Sequence, residues 1–256
     1  MRHLFEAEGL QALQSVVRLR PLLAFDFDGT LAPIVAHPDD AKVSTVIGRH
    51  LRRLALRAPV AIVTGRSVDD VLPRLGFTLR YVVGNHGAED LQGLLSRLRG
   101  TALHELRCHL EAQREQLQAV GVQVEDKRHS LALHYRLAHD QGSARERIEA
   151  LLHGLAPSLK AFGGKCVVNV VASDAPDKGD AVHSLVERCG AAAAIFVGDD
   201  LNDEAVFIRA APHWLTVRIG RDDAQSRAMF FLDSHAEVAS LLERLQGLLE
   251  ASRARP

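Results

Sequence analysis

The chain has 256 residues, of which 47% are hydrophobic, 25% charged and 5% aromatic. This length and apolar fraction predict a globular protein of one or two domains and exclude the disordered and fibrous classes. With 31 Lys and Arg against 32 Asp and Glu, the formal net charge is −1. Because no excess charge attracts polyanions, we expect a small-molecule substrate, with no nucleic-acid partner and no membrane partner.

The cysteines and the first residues bear on the cellular compartment. Cys108, Cys166 and Cys189 are far apart, odd in number and outside any Cys-x-x-Cys pair, a usage that fits a reducing compartment better than a disulfide framework. Glu6 and Glu8 stand where a signal peptide would begin its apolar region, and no later stretch approaches the roughly 18 apolar residues of a membrane span. We therefore expect a cytoplasmic protein.

Short apolar runs alternate with helical patterns along most of the chain. The runs are residues 22–28, 60–64, 81–84, 194–198 and 215–219. This alternation predicts an α/β fold with a Rossmann-like parallel sheet that is covered on both faces. The first four runs end in Asp-Gly-Thr, Thr-Gly-Arg, Gly-Asn-His-Gly and Gly-Asp-Asp. Because ligands bind outside the carboxyl ends of the strands in such sheets, we expect these endings to form one site.

The rhythm of the pattern changes between residues 103 and 173. A helical stretch at 103–119 precedes strand-like segments at 122–127 and 130–137, and a helix at 144–155 precedes strand-like segments at 159–162 and 166–171 around Gly163 and Gly164. The order αββαββ suits antiparallel pairing and predicts an α+β module inserted into the core. The predicted domains are therefore a core of residues 1–102 and 174–256 and a module of residues 103–173. Residues 237–255 are predicted to form an amphipathic helix with a structural role.

The first motif that carries chemistry is Asp26-Phe27-Asp28-Gly29-Thr30. Residues two apart in a strand face the same side, so Asp26 and Asp28 project together. Two carboxylates at the tip of a buried strand repel each other and are tolerated mainly when a cation or a proton lies between them. Gly29 allows a sharp turn and a close approach of backbone N–H groups to an anion. The alternative interpretation is an ordinary strand-to-turn signal.

The second motif is an acidic segment after the fourth run. It contains Gly198-Asp199-Asp200 and then Asn202, Asp203 and Glu204. Magnesium prefers one or two carboxylates together with waters and phosphate oxygens, and Asp26 and Asp199 offer carboxylates from two strand ends. A lone acidic loop is more often a solvated helix N-terminus, but the pairing with Asp26 favours a metal site. Neither His-x-x-x-His nor HExxH occurs among the 13 histidines, so zinc is not expected.

Two further motifs are Thr64-Gly65-Arg66 and Lys178-Gly179. A strand-end hydroxyl can hold a phosphate oxygen, and a lysine can neutralise the charge that builds between a nucleophilic carboxylate and a dianionic ester. Each motif alone is weak evidence, because a Thr before Gly is commonly a turn and a lysine at a helix start is commonly exposed. The order of the four motifs is more informative than any one of them.

That order resembles the haloacid dehalogenase-like phosphatases and, within them, the trehalose-6-phosphate phosphatase family. The resemblance covers nearly the whole chain and rests on residues 26–34, 64–66, 84–89, 125–127, 131–136 and 198–204. It implies that residues 103–173 form a cap that closes over the core and excludes water. It also implies an enzyme that uses Mg²⁺ to hydrolyse trehalose 6-phosphate to trehalose and phosphate in trehalose biosynthesis. We expect this enzyme to be a monomer.

The resemblance also implies the roles of individual core residues. Asp26 attacks phosphorus and forms an aspartyl-phosphate, while Asp28 donates a proton to the departing sugar oxygen and later takes one from water. The metal ligands implied are Asp26, the backbone carbonyl of Asp28, and Asp199. Thr64 and Lys178 orient the transferring group.

Further residues are assigned to supporting and substrate-binding roles by the same resemblance. Asp200 and Asp203 fix Lys178 or metal-bound water. The implied substrate-binding residues are Gly29, Thr30, Gly65, Arg66, His86, Glu125, Lys127, Arg136 and Asn169.

The sequence departs from the family pattern at three positions. Asn169 and Ala172 stand where the family usually has glutamate and proline, and Asn202 stands where it usually has threonine. Asparagine can still bond a sugar hydroxyl, but without the charge-assisted part of that contact.

These departures leave alternatives open. The first alternative is another phosphatase of the superfamily that acts on sucrose phosphate, a glycosyl-glycerate phosphate or a hexose phosphate. The others are a sugar phosphomutase and a non-catalytic phosphosugar-binding protein. A dinucleotide-binding protein is excluded because the G-x-G-x-x-G turn is missing.

Overall fold

The computed structural model describes residues 1–91, 103–221 and 223–253. The chain divides into two compact units, which we call the core unit (residues 1–91 and 177–256) and the cap unit (residues 92–176). The boundary predicted between residues 102 and 103 lies at the edge of a stretch outside the described residues. The return to the core unit falls after Pro176, close to the predicted position.

The strands are numbered in chain order. They are β1 (Arg2–His3), β2 (Leu22–Phe25), β3 (Val60–Val63), β4 (Tyr81–Gly84), β5 (Glu89–Asp90), β6 (Gln123–Asp126), β7 (Ser130–His134), β8 (Leu159–Gly164), β9 (Val167–Ala172), β10 (Ala194–Gly198), β11 (Leu215–Ile219) and β12 (Phe230–Leu232).

The helices are numbered in the same way. They are α1 (Ala7–Arg18), α2 (Thr45–Ala55), α3 (Val68–Leu75), α4 (His104–Ala112), α5 (Arg114–Ala119), α6 (Gln141–Leu152), α7 (Lys178–Cys189), α8 (Glu204–Arg209) and α9 (Val238–Arg253). Among these described helices, none combines the length and the apolar composition that a membrane span requires.

The core unit is built on one sheet with the strand order β1-β12-β11-β10-β2-β3-β4-β5 among the described residues. Every pairing in it is parallel except that of β4 with β5. The five apolar runs all form strands of this sheet, and β2, β3, β4, β10 and β11 are buried along their whole length. Burial on both faces explains why these strands read as continuous apolar runs. The prediction of a parallel α/β core is confirmed.

Helices pack around this sheet in two groups. Helix α9 contacts α1 and α2, whereas α7 contacts α8 and the strands β2 and β3. Helix α3 is capped at its N-terminus by Ser67, whose hydroxyl accepts a hydrogen bond from the Asp70 N–H. It is capped at its C-terminus by Gly76, which lies in the left-handed region. This short helix directly follows the Thr64-Gly65-Arg66 motif and therefore places its first turn beside that strand end.

The cap unit contains a four-stranded antiparallel sheet in the order β6-β7-β9-β8. One face packs against α4, α5 and α6 through a separate apolar cluster that includes Leu106, Leu131, Leu133, Ile148 and Val170. The inserted α+β module of the sequence prediction is therefore present, and its elements follow the predicted order αββαββ once α4 and α5 are counted as one helical stretch.

Two details of the cap prediction are wrong. The stretch predicted as one helix is two, because the backbone of Gln113 leaves helical geometry and its side chain accepts a hydrogen bond from Arg147. The second hairpin turns at Lys165 and Cys166, where Cys166 has φ 60°, and not around Gly163 and Gly164. Both glycines stay extended in β8, paired with Val168 and Val167.

Candidate active site

The predicted motif residues meet at the carboxyl ends of neighbouring strands. Asp26 follows β2, and its N–H donates to the Val197 carbonyl of β10 at 2.9 Å. Thr64 follows β3 and donates in the same way to Val83 of β4 at 2.9 Å. Asp199 follows β10 directly. Because β10, β2, β3 and β4 are consecutive parallel strands, these side chains lie along one edge of the sheet.

A buried lysine connects two of the carboxylates. Lys178 is the first residue of α7. Its Nζ lies 2.9 Å from Asp26 Oδ1 and 2.7 Å from Asp203 Oδ1. The exposed fractions of the three side chains are 1%, 7% and 0%. Although burial alone lowers the pKa of Lys178, the carboxylates of Asp203 and Asp26 raise it overall. The lysine is therefore a permanent cation inside the site.

Asp203 organises the loop that carries Asp199. Its Oδ2 accepts hydrogen bonds from the backbone N–H groups of Asp199 and Asp200, both at 2.9 Å. Asp200 in turn accepts from the Leu201 N–H and from the amide of Asn202. A Cβ at Gly198 would lie 2.3 Å from the Asp203 carboxyl carbon, so glycine is required for this close approach. The loop therefore holds Asp199 and Lys178 through one shared carboxylate.

The Asp26 carboxyl is strongly perturbed. Burial raises the pKa of Asp26 well above its usual range, and Asp203, Asp199 and Asp28 raise it further while Lys178 opposes the shift. Removal from water and repulsion by like charge both disfavour an ionised carboxylate. A group with this environment at a strand tip is typical of functional sites.

The donor set suits a hard divalent cation. Carboxylate oxygens of Asp26, Asp199 and Asp203 lie within 4.8 Å of one another, and all three residues are buried. Asp203 is already bonded through both oxygens to Lys178 and to the loop backbone. Asp26 and Asp199 are the two carboxylates of this set that would face a cation, which agrees with the oxygen-rich coordination of Mg²⁺.

The turn after Asp26 is shaped for close packing. Gly29 has φ +78°, and a Cβ there would lie 2.1 Å from Asp199 Oδ2, so only glycine allows the Asp199 carboxylate against this backbone. Thr30 is fully buried, and its hydroxyl has no hydrogen-bond partner among the described residues. Both predicted substrate-binding residues of this motif therefore lie at the acidic cluster or in the turn beside it.

The loops after β3 and β4 are locked together. The N–H groups of Asn85 and His86 donate to the carbonyls of Arg66 and Thr64 at 2.8 and 2.9 Å. His86 takes the strained left-handed conformation with φ 57°, and its buried ring leaves no room for a Cβ at Gly65, which would lie 2.4 Å from its Cε1. Such backbone strain persists where surrounding contacts enforce it. Gly65 and His86 are therefore brought together as predicted neighbours of Thr64.

The Asp28 carboxylate does not join the acidic cluster. Arg66 Nε and Nη2 donate to its Oδ2 and Oδ1, each at 2.7 Å. The bidentate pair fixes the orientation of the Asp28 carboxylate against Arg66. The prediction that Asp28 contributes to a metal site concerns its backbone carbonyl and stays a prediction.

The predicted cap residues divide between two places. Glu125 and Asn169 each pair with Ala132 across the sheet, so they share the face opposite the apolar cluster. The Glu125 carboxylate lies 3.6 Å from Lys127 Nζ and 2.9 Å from His134 Nε2. Asn169 is buried, and its Nδ2 has no hydrogen-bond partner among the described residues.

Arg136 lies apart from this group. It is exposed beyond the end of β7 and donates to the carbonyl of Lys165 at 3.0 Å.

Two residues that contact this site were not predicted. Asp70 and Arg74 of α3 form an ion-pair chain that ends on Arg66. Arg66, Asp70 and Arg74 are spaced at i, i+4 and i+8, with Arg66 two residues before the first residue of α3. This alternation of charge is the sequence signal that indicates the contact.

Comparison with known proteins places this architecture in a class. A structure of a haloacid dehalogenase-like hydrolase from B. subtilis matches with a TM-score of 0.62 and 19% identity over 87% of this chain and 98% of that chain. The C-terminal domain of trehalose-6-phosphate phosphatase from C. albicans matches with a TM-score of 0.79 and 22% identity, over 93% of this chain and 96% of that chain. The fold is therefore that of the haloacid dehalogenase-like hydrolases.

Sequence comparison gives the family. The family model described as trehalose-phosphatase matches residues 24–234. The trehalose-phosphate phosphatase of Mycolicibacterium paratuberculosis is 34% identical over 251 residues, which are 90% of this chain and 63% of that protein. The chain thus belongs to the trehalose-phosphatase family, and it spans less than two thirds of the length of that relative.

Proposed function

We propose that the chain is a Mg²⁺-dependent phosphatase that hydrolyses trehalose 6-phosphate to trehalose and phosphate. The observation that carries this proposal is the buried arrangement of Asp26, Lys178 and Asp203 beside Asp199 at the strand ends. Membership of the trehalose-phosphatase family and the names of its relatives support the choice of substrate.

Asp26 is the proposed nucleophile. A carboxylate oxygen attacks phosphorus in line, the bond from phosphorus to the sugar oxygen breaks, and the phosphoryl group is carried on Asp26. Water then attacks the same phosphorus, and phosphate leaves while the Asp26 carboxylate is restored. Lys178, fixed by Asp203, offsets the negative charge that the attacking carboxylate and the phosphoryl oxygens bring together.

Asp28 is the proposed general acid and base. It gives a proton to the sugar oxygen as that oxygen departs, and it then takes a proton from the attacking water. Its side chain is 43% exposed, so it can reach an ester at the strand ends.

Thr64 and the metal complete the phosphate site. The Thr64 hydroxyl accepts from the Arg66 N–H at 3.2 Å, which leaves its own proton for a phosphoryl oxygen. Mg²⁺, when bound by Asp26, Asp199 and the backbone carbonyl of Asp28, supplies positive charge that lowers the repulsion between carboxylate and phosphate dianion.

The sugar is assigned to the cap residues. Glu125 and Asn169 share one face of the cap sheet, and the Lys127 ammonium lies 3.6 Å from the Glu125 carboxylate. Their carboxylate, amide and ammonium groups suit sugar hydroxyls. Arg136, Gly29, Thr30, Gly65 and His86 stay predicted substrate-binding residues. The cytoplasmic location and the monomeric state also stay predictions.

A substrate panel tests the proposal. Phosphate release is measured with Mg²⁺ from trehalose 6-phosphate, sucrose 6-phosphate and glucose 6-phosphate, and the sugar products are separated by chromatography. We expect the highest kcat/KM with trehalose 6-phosphate and free trehalose as the product. Preference for another ester would assign another sugar phosphatase, isomerised sugar phosphate would assign a mutase, and binding without turnover would assign a phosphosugar-binding protein.

A further inference from the structure

The guanidinium of Arg66 is almost fully engaged by the core unit itself. Besides its two bonds to Asp28, its Nη1 donates to Asp70 Oδ2 at 2.7 Å and its Nη2 donates to the Pro38 carbonyl at 3.0 Å. The Arg66 side chain is 10% exposed, and the guanidinium carbon lies 5.4 Å from the centre of the Phe27 ring. Four of its five N–H groups therefore have partners, and its orientation is fixed by several elements at once.

Asp70 is the centre of a chain of ion pairs. Its second oxygen, Oδ1, lies 2.6 Å from Arg74 Nη2, and Arg74 also binds the Asp39 carboxylate and backbone carbonyl. The hydrogen bonds from Arg74 and Arg66 lower the pKa of Asp70, although its partial burial alone would raise it. This series of ion pairs runs from Asp28 through Arg66, Asp70 and Arg74 to Asp39. It joins the strand end to α3 and to the turn at residues 38–40.

The position of Asp28 explains why such a chain matters for the reaction. Asp28 follows the strand β2 by three residues and is 43% exposed, so neither the sheet nor burial restricts its side chain. A general acid acts only when it is held within hydrogen-bond reach of the leaving oxygen, and small displacements are costly in rate. The bidentate contact with Arg66 supplies the missing restriction in the described part of the site.

We propose that Asp70 is a positioning residue: it holds the Arg66 guanidinium at the angle that orients Asp28 for proton transfer. When Asp28 carries the proton, one of its oxygens keeps its contact with Arg66 and the protonated oxygen gives up its contact to face the departing sugar oxygen. This inference rests on the proposed phosphatase function. It assigns to Arg66 the orientation of Asp28, whereas the sequence assigned it to substrate binding. Exposed i,i+4 ion pairs contribute little, but Arg66 and Arg74 are 10% and 11% exposed, so the Asp70 contacts here determine geometry.

The test uses two phosphate esters that differ in their need for an acid. The leaving group of trehalose 6-phosphate is a strongly basic sugar alkoxide, which needs a proton. The leaving group of p-nitrophenyl phosphate is a weakly basic phenolate, which does not. The value of kcat/KM reports the first transfer step for both esters. For Asp70→Asn we expect kcat/KM to fall at least about tenfold with trehalose 6-phosphate and by less than about twofold with p-nitrophenyl phosphate.

Three further variants show whether the effect of Asp70→Asn passes through Arg66. Arg66→Lys, which keeps the charge but loses the bidentate contact, should show the same selective loss. The double variant Asp70→Asn with Arg66→Lys should be no worse than Arg66→Lys alone, because Asp70 acts only through Arg66. Arg57→Gln removes a guanidinium paired with Glu250 at the opposite end of β3 and should leave both kcat/KM values unchanged.

The outcomes separate this inference from the proposed function. Equal losses with both esters in Asp70→Asn, or full additivity in the double variant, would overturn the positioning role while leaving the phosphatase intact. Wild-type protein that releases phosphate from neither ester would overturn the proposed function and the inference together. Thermal unfolding of each variant shows whether a loss reflects misfolding, and Arg66→Lys then carries the test if Asp70→Asn does not fold.

Discussion

Replacing Lys178 by methionine tests whether the core site is held by one buried cation. The Nζ of Lys178 lies 2.9 Å from Asp26 and 2.7 Å from Asp203, and all three side chains are at least nine-tenths buried. Removing one partner of a buried ion pair leaves uncompensated charge and costs about 3–5 kcal/mol. For a domain of this size we expect the midpoint of thermal unfolding to fall by about 10 °C.

Unfolding of the core unit can be followed with one intrinsic probe. Trp214 is the single tryptophan of the chain, is 4% exposed and stacks near His183 just before β11. Its fluorescence is measured during urea unfolding in EDTA, and the measurement is repeated with Mg²⁺. The control is Lys42→Met, which replaces an exposed lysine and should change the free energy of unfolding by less than about 0.5 kcal/mol.

The result depends on the sign of the charge left behind. Without Lys178, the carboxylates of Asp26, Asp199 and Asp203 repel one another more strongly. Added Mg²⁺ should therefore recover part of the lost stability by binding the folded state. An unfolding free energy for Lys178→Met within about 1 kcal/mol of the wild-type value in EDTA would refute the claim that the ion pair stabilises the core unit.

Three further outcomes are expected. Asp26→Asn and Asp28→Asn should abolish phosphate release and leave the far-UV circular dichroism unchanged, whereas near-wild-type release in Asp26→Asn would exclude the covalent mechanism. EDTA should abolish phosphate release and Mg²⁺ should restore it, so full activity in chelator would contradict the metal assignment. Gly65→Ala should lower the free energy of unfolding by about 1–3 kcal/mol, because its Cβ would lie 2.4 Å from His86, while Gly163→Ala, which meets no atom within 4 Å, serves as its control. Wild-type stability of Gly65→Ala would show that the loops are not locked as described.

The strands and their polar ends could be predicted from the sequence because both depend on local patterns. The runs at 60–64 and 194–198 are apolar without alternation, which indicates strands buried on both faces, and parallel strands necessarily end at the same edge of a sheet. The strand ends therefore predict that Asp26, Thr64 and Asp199 lie at one site. The two-residue strand β1 gave no such pattern, since it pairs with β12 from the far end of the chain.

The contacts of Arg66 could not be predicted in the same way. Arg66 lies 38 residues from Asp28 and 28 from Pro38, and its direction depends on the packing of loops that no periodicity records. The spacing of Arg66, Asp70 and Arg74 was readable as a helical charge pattern, but a pattern of this kind is usually a solvated face. Only the burial of Arg66 and Arg74 against the turn at residues 38–40 distinguishes this charge pattern from a solvated face.

The most direct test of the account is the site of phosphorylation during turnover. Wild-type protein is mixed with trehalose 6-phosphate carrying radioactive phosphate, quenched with acid within the first turnover, digested and mapped by mass spectrometry. We expect a hydroxylamine-sensitive phosphoryl group on Asp26 of the wild-type protein, and no label in Asp26→Asn. Label on another residue, or release of phosphate with no labelled protein at any time, would contradict the role of Asp26 as the nucleophile.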